Sequence, residues 1–274
     1  MAAVHKTKYS FGIILCRPVR DTLEVMLIQK RFTYAYFDFI HCRGNYSNKN
    51  KLYDQPLIEL FNQMTVDELL IIYSLDYRQM WYRIWLSYEN SFHSLKNKFE
   101  QLFLFDGGVT LKALIRKSIP VGKLIWEIPK GRKTSGKEPD LFCAIREVHE
   151  ECYINKDQYT LLPNVSKTVI YIHDQVKYVC KYYIAQMHER TEAPITMDIK
   201  KEIQSSRWCT VEELRLIDNN NHLERLIRPT LRLVKKYNKG KFEVVQESKI
   251  AKYGIKYFID TSEPKQSGIQ PYLA

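Results

Sequence analysis

The sequence contains no Cys-x-x-Cys pair; its six cysteines stand apart at positions 16, 42, 143, 152, 180 and 209. That spacing excludes a zinc ribbon, and His41-Cys42 has no second ligand pair nearby, so a zinc site is not expected. No opening stretch has the make-up of a secretory signal, so the thiols are expected to be reduced, in a cytosolic setting. No apolar run approaches the length of a membrane span, which excludes a spanning helix. Internal repeats and long low-complexity tracts are absent as well, which excludes a repeat architecture.

What is present is a chain of 274 residues, 45% apolar, long enough for one large domain or two small ones. Its formal net charge is +11 and its pI is about 9.2. A surplus of that size favours a polyanionic partner, nucleic acid or a membrane surface, over a neutral metabolite.

Tyr9 to Cys16 and Val25 to Lys30 are short, apolar and β-prone. Arg17-Pro18-Val19-Arg20-Asp21 between them reads as a loop by its proline and charges, so the pair is a hairpin. The aromatic run Arg31 to Ile40 reads either as a core strand or turn, or as a platform for stacking bases. His41 to Asp54 reads as a polar linker and Gln55 to Lys117 changes to a helical pattern, with Thr65, Asp76 and Ser91 as helix-opening residues and Gly107-Gly108 as a stop, so that residues 43–117 stand apart. This is a helical insertion with its own core, dividing residues 1–42 from 118–245 in sequence. Lys167 to His173 and Lys177 to Met187 read as two strands joined at Asp174-Gln175, and a short strand follows around Trp208. Leu223 to Tyr237 is an amphipathic helix whose outer stripe is Arg225, Arg228, Arg232, Lys235 and Lys236. Residues 246–274 are a basic tail. Strands on both sides of a central helix suit an α/β/α sandwich.

The chemistry concentrates between Gly131 and Ile154. Glu147, Glu150 and Glu151 stand at i, i+3 and i+4, so three carboxylates share one face of a helix. Leu141, Ala144, Ile145, Val148 and Cys152 fall on another face and give it a core to pack on. Three crowded carboxylates repel one another unless cations neutralise them. Hard divalent ions with oxygen ligands, Mg²⁺ or Mn²⁺, are the natural partners.

With Gly131, Glu138, Arg146, Glu147, Val148, Glu150, Glu151 and Ile154 in place, this stretch resembles a Nudix box. It departs from that pattern twice: six residues rather than five separate Gly131 from Glu138, and Tyr153 stands where the box ends in glycine. Beyond the box, Gln29-Lys30-Arg31, Phe39-Ile40-His41-Cys42, Met80-Trp81-Tyr82, Ile84-Trp85 and Trp126 to Gly131 are similar to the mRNA-decapping Nudix hydrolases of large nucleocytoplasmic DNA viruses, African swine fever virus more than the poxviruses. The resemblance covers the chain to about Tyr237. It implies a Nudix fold holding an all-helical, RNA-binding insertion. It also implies cleavage of the 5′ cap of mRNA to 7-methyl-GDP and 5′-monophosphate RNA with Mg²⁺ or Mn²⁺, action in the host cytoplasm or the virion, and a homodimer through the helical insertion as one arrangement.

On that resemblance, Glu147, Glu150 and Glu151 are expected to hold metal, with the Gly131 loop beside them, and Arg146 to orient a carboxylate. Glu202 matches the remote acid of decapping enzymes, a general base or further ligand. Lys130 and Arg132 are candidates for the phosphate oxygens. For the cationic methylguanine, which suits aromatic faces, the candidates are Tyr34, Tyr178 and Tyr182, with Asp174 as the acidic reader. Lys30, Arg31, Arg225, Arg228, Arg232 and Lys236 are the expected contacts to the RNA body. Two other readings stay open: a Nudix enzyme acting on a diphosphoinositol or dinucleoside polyphosphate, and a catalytically silent RNA-binding module.

Overall fold

The structure, a computed structural model, describes residues 6–20, 22–44, 54–88, 91–173, 176–188, 202–217, 222–238, 250–251 and 257–258. In chain order the elements are β1 (Lys6–Val19), β2 (Thr22–Lys30), α1 (Tyr34–Ile40), α2 (Asp54–Asn62), α3 (Val66–Ser74), α4 (Tyr77–Trp85), α5 (Phe92–Phe103) and α6 (Val109–Lys117). There follow β3 (Trp126–Glu127), β4 (Lys130–Gly131), α7 (Asp140–Cys152), β5 (Tyr159–His173), β6 (Val176–Met187), β7 (Ile203–Cys209), α8 (Val211–Ile217), α9 (His222–Asn238), β8 (Ile250–Ala251) and β9 (Tyr257–Phe258). The chain divides into a sheet unit (Met1–Ile28, Glu127–Ile195, Ser206–Ala274) and a helical unit (Gln29–Trp126, Thr196–Ser205).

In the sheet unit β1 is the central strand. It pairs parallel with β6 and antiparallel with β2 and β4, and β6 pairs antiparallel with β5. Strands of both senses with helices make this an α/β fold. Ile13, Ile14, Leu15 and Cys16 are consecutive and all buried, the pattern of a strand covered on both faces. Helix α7 packs on β1 through the buried Cys143, Ala144, Val148 and Cys152. Helix α9 buries Leu226, Ile227, Leu231 and Val234, the stripe its spacing predicts.

The loop expected at Arg17–Asp21 is much shorter. β1 continues through Val19, and the chain reverses at Arg20, whose φ is 50°. Arg17 reads as a loop residue by its charge, but it is buried in the strand. Its Nε donates to the Glu24 carboxylate at 2.7 Å, and its guanidinium lies 4.6 Å from the Trp208 ring centroid. A paired and stacked charge is compatible with a strand interior.

The helical unit has one core, in which Phe39, Phe61, Trp81, Phe99 and Phe103 are fully enclosed. Here the aromatic run is core, as one of its readings has it, but it is helical and not a strand or turn. Residues 34–40 form a helix, capped by Thr33, whose hydroxyl accepts from the Tyr36 N–H at 3.2 Å. Phe39 packs against Phe61, Phe99 and Phe103 with ring centroids 5.3, 5.2 and 4.8 Å away. These rings are core and not a platform, and they draw the start of the helical unit back to Gln29, ahead of residue 43. Its far edge extends to Trp126. The Val121 and Gly122 N–H groups donate to the Asn62 and Met64 carbonyls at 2.9 and 3.0 Å. Gly122 is required there, since a Cβ would meet the Gln63 carbonyl oxygen at 2.1 Å.

Glu68 ties this unit together. It completes the capping box of α3 by accepting from the Thr65 N–H at 2.8 Å. The same carboxylate accepts from the Thr33 N–H at 2.5 Å and the Thr33 hydroxyl at 2.9 Å, joining the start of α1 to the start of α3. Burial pushes its carboxyl pKa up, and the donors pull it back only in part. The Asp174-Gln175 turn and most of the tail lie outside the described residues.

Candidate active site

The site is assembled where β4 meets β1 and α7. Phe11 and Gly12 pair with Gly131 and Lys130. Gly12 has no room for a side chain, because a Cβ would lie 2.2 Å from the Pro129 carbonyl oxygen. Gly131 is equally constrained: a Cβ there would fall 2.1 Å from the Glu147 carboxyl carbon. The first glycine of the motif thus makes the space in which the Glu147 carboxylate lies against the strand. Pro139 precedes the first turn of α7. Tyr153 closes the helix with φ 56° and its N–H donating to the His149 carbonyl at 2.9 Å. A tyrosine therefore takes the left-handed conformation that favours glycine, and the turn survives the substitution.

Arg146 organises the carboxylates. Its Nε donates to Glu138 at 2.9 Å, and its Nη1 donates to Glu147 at 2.8 Å and to Glu150 at 2.9 Å. Its Nη2 donates to the Arg132 carbonyl at 2.8 Å, fixing the box loop to the helix. Glu138 also accepts from the Thr134 N–H at 2.7 Å, which folds the longer loop back on itself. The Arg146 bond, then the Thr134 N–H, hold the Glu138 carboxyl down at about 2. Glu138 in turn raises the already high pKa of Arg146. The third acid of the face, Glu151, accepts from the Lys130 N–H at 2.9 Å.

Among the described residues no group of three or more His, Cys, Asp or Glu side chains converges as a ready-made metal cage. The Arg146 guanidinium supplies counter-charge at this face. The donor set nevertheless fits a hard divalent cation. It is all carboxylate, it lies on one helix face beside a glycine loop, and Glu150 is half-exposed at 53% while Glu147 is nearly enclosed at 12%.

Of the other expected residues, Lys130 directs its ammonium to Glu127, so its charge is already answered within the strand pair. Arg132 is exposed beside the box loop. Tyr182 is buried, with its hydroxyl pKa raised well above the ordinary value, first by burial. It offers little ring face for stacking. Tyr178 stacks on Tyr171 with centroids 4.9 Å apart and planes 5° apart, which leaves no room for a base between them. Asp174 lies outside the described residues. On α9, Arg225 and Arg232 are exposed, while Arg228 donates from Nε to Glu224 at 3.0 Å. Four expected residues belong to the helical unit. Tyr34 is 52% exposed at the start of α1. Lys30 donates to the Glu202 carboxylate at 3.4 Å. Arg31 lies over the Phe32 ring at 5.5 Å.

Two residues carry more than the sequence assigned to them. Glu138 matches the motif, but its spacing gives no sign that it would hold Arg146. Glu127 is the partner of Lys130, three residues away; the Trp-Glu-Ile-Pro-Lys-Gly run contained that signal.

The chain is similar to several known proteins. Residues 103–230 match the NUDIX domain family. The chain is 36% identical over 244 residues to the mRNA-decapping protein g5R of African swine fever virus, covering 84% of this chain and 97% of that protein. It is 29% identical over 103 residues to the asymmetrical bis(5′-nucleosyl)-tetraphosphatase of Caenorhabditis elegans, covering 38% of this chain and 71% of that one. Among solved structures, a C. elegans Ap4A hydrolase complex covers 85% of this chain and 98% of its own, at 16% identity and a TM-score of 0.41.

Proposed function

We infer that this chain, which belongs to the Nudix family alongside the mRNA-decapping protein of African swine fever virus, is itself a decapping pyrophosphohydrolase. The observation that carries the reading is the reach of that similarity. It spans nearly the whole viral relative, helical unit included, whereas the similarity to the tetraphosphatase stops short of half the chain. The substrate is capped RNA and the cofactor a divalent cation, Mg²⁺ or Mn²⁺. The products are 7-methyl-GDP and RNA with a 5′-monophosphate, made in the host cytoplasm.

Water attacks one phosphorus of the triphosphate bridge, the bridging P–O bond breaks, and the attacking water loses a proton. Glu147, Glu150 and Glu151 would hold the cation. A cation held there supplies neutralising charge for the bridge and acidity for the attacking water. Arg146 sets the direction of Glu147 and Glu150 through its two bonds from Nη1. It stays protonated throughout, because its pKa is raised and not lowered. Arg132 holds phosphate oxygens, and Lys130 joins it by exchanging its Glu127 partner for phosphate. Glu202 is the candidate for the attacking water's proton or for a further ligand. Tyr34 in the helical unit and Tyr178 and Asp174 in the sheet unit remain separate candidates for the methylguanine, and the exposed Arg225 and Arg232 of α9 are the candidates for the RNA body.

The test is product analysis. RNA labelled in its cap is incubated with the protein and Mn²⁺ and the products are separated by chromatography, with free cap analogue and diadenosine tetraphosphate in parallel. The expected result is labelled 7-methyl-GDP from long RNA, with the two small compounds cut far less well. No 7-methyl-GDP, or equal use of all three, would overturn the reading. Preference for the tetraphosphate would move the assignment to dinucleoside polyphosphates.

A further inference from the structure

Helix α4 turns Tyr77, Met80, Trp81 and Ile84 into the core of the helical unit. Its other face carries Arg78 and Tyr82 at i, i+4 and Gln79 and Arg83 at i, i+4, with no acid in the helix. The carboxylate of Asp76, just before the helix, is engaged as its N-cap and accepts from the Gln79 N–H at 2.9 Å. Leu86 then takes a left-handed φ of 53° and turns the chain so that Tyr88 comes back beside Tyr82. With Leu75, these residues line an open cavity of about 310 Å³.

Three features of this cavity suit a ligand. The rings of Tyr82 and Tyr88 are 50% and 56% exposed. Their centroids stand 6.2 Å apart at 41°, a splayed pair in contrast to the closed stack of Tyr171 on Tyr178, and Tyr88 is backed by the core ring of Phe92 with centroids 4.6 Å apart. Among the described residues no carboxylate pairs with Arg78 or Arg83. Positive charge also gathers around Arg83. Arg31 has a buried Nη1 with no partner, and its pKa is lowered first by burial and next by Arg83. Burial first and then the Glu68 carboxylate push the hydroxyl of Tyr36 up, and the Arg83 and Arg31 guanidiniums beside it pull it down in part; that hydroxyl too has no hydrogen-bond partner. Like charges held together in this way are relieved by an anion.

We propose that this cavity is a subsite for one nucleotide of single-stranded RNA, its base against Tyr82 and Tyr88 and its phosphate on Arg78 and Arg83. The inference rests on the capped-RNA reading for the source of the strand. Rings accept any base by its face, and arginines accept any phosphate, so the subsite grips without reading sequence. A duplex keeps its base faces stacked internally and cannot enter in this way.

The experiment uses the full chain and an uncapped, labelled RNA of roughly ten nucleotides, followed by fluorescence anisotropy. Tyr82→Ala and Tyr88→Ala are each expected to weaken binding about tenfold, the loss typical of one stacked base. Tyr82→Phe and Tyr88→Phe keep the ring and should bind as wild type does. Arg78→Gln and Arg83→Gln should each flatten the dependence of log affinity on log salt by roughly 0.7. Wild-type affinity in the alanine variants would overturn the proposal. So would an equal loss in the phenylalanine variants, or duplex RNA competing as well as the single strand. Because uncapped RNA is never hydrolysed at a cap, failure of this subsite and failure of the decapping reading give different results. The first leaves 7-methyl-GDP release intact, and the second leaves the anisotropy pattern intact.

Discussion

In the sheet unit a single arginine, Arg146, is bonded by Glu138, Glu147 and Glu150. In the helical unit the relation is reversed. Glu68 is buried among backbone and hydroxyl donors with no cation bonded to it among the described residues, and Arg78 and Arg83 stand on a helix with no acid. The first arrangement aims carboxylates by compensating them internally. The second leaves positive charge outside and uses a carboxylate inside as a structural pin. Three kinds of group stand apart here: acids proposed to take a cation, arginines proposed to take an anion, and an acid that serves the fold.

The contrast can be broken most sharply at Gly131. Gly131→Ala puts a methyl group into the space of the Glu147 carboxylate, and a displacement of about 1 Å is expected to cost about 10²-fold in 7-methyl-GDP release. Binding of uncapped RNA should be unchanged, which separates misplacement of the carboxylate from general damage. Arg146→Gln removes the orienting bonds without touching a proposed ligand. It is expected to lower metal affinity or turnover by about 10- to 100-fold, seen as a shifted Mn²⁺ activation curve. On the other side of the comparison, Glu68→Gln points an amide donor at donors. It should cost about 1–3 kcal/mol in stability by urea titration while leaving the Mn²⁺ curve alone.

A smaller effect reports on the Arg146–Glu138 bond through pH. The Glu138 carboxyl is held at about 2 in the fold, below the unfolded value near 4.3. Its stabilising contribution is therefore fully present above the unfolded value and lost as pH falls through the folded one. Thermal melts of wild type and Glu138→Gln should differ at neutral pH and converge below about pH 2. The smallest effect is on α9. Arg228 is engaged by Glu224 and Arg225 is exposed, so Arg228→Gln should change the salt dependence of RNA binding less than Arg225→Gln does.

The box was legible because its chemistry demands particular residue types at fixed spacing, and a helix puts Glu147, Glu150 and Glu151 on one face wherever it occurs. The box helix, the hairpin and the long amphipathic α9 could be read from periodicity alone. Two local features could not. The aromatic run of α1 is a single short helix made of residues that favour strands. Its state was decided by the Thr33 cap and by the Phe61, Phe99 and Phe103 rings far along the chain, which no local window contains. Arg17 reads as a loop residue until its partners Glu24 and Trp208 are known. The cap-recognition candidates were least legible, because tyrosine is equally suited to a core. Tyr182 proved to be buried and Tyr178 to be stacked on a neighbour.

The central claim is that the acidic face of α7 takes a divalent cation in exchange for part of the hold of Arg146. Calorimetric titration of Mn²⁺ into wild type and into Glu147→Gln and Glu150→Gln tests it directly. The account predicts saturable binding to wild type and a clear loss of affinity in both variants, with uncapped RNA still bound. Indistinguishable isotherms for all three proteins would contradict it.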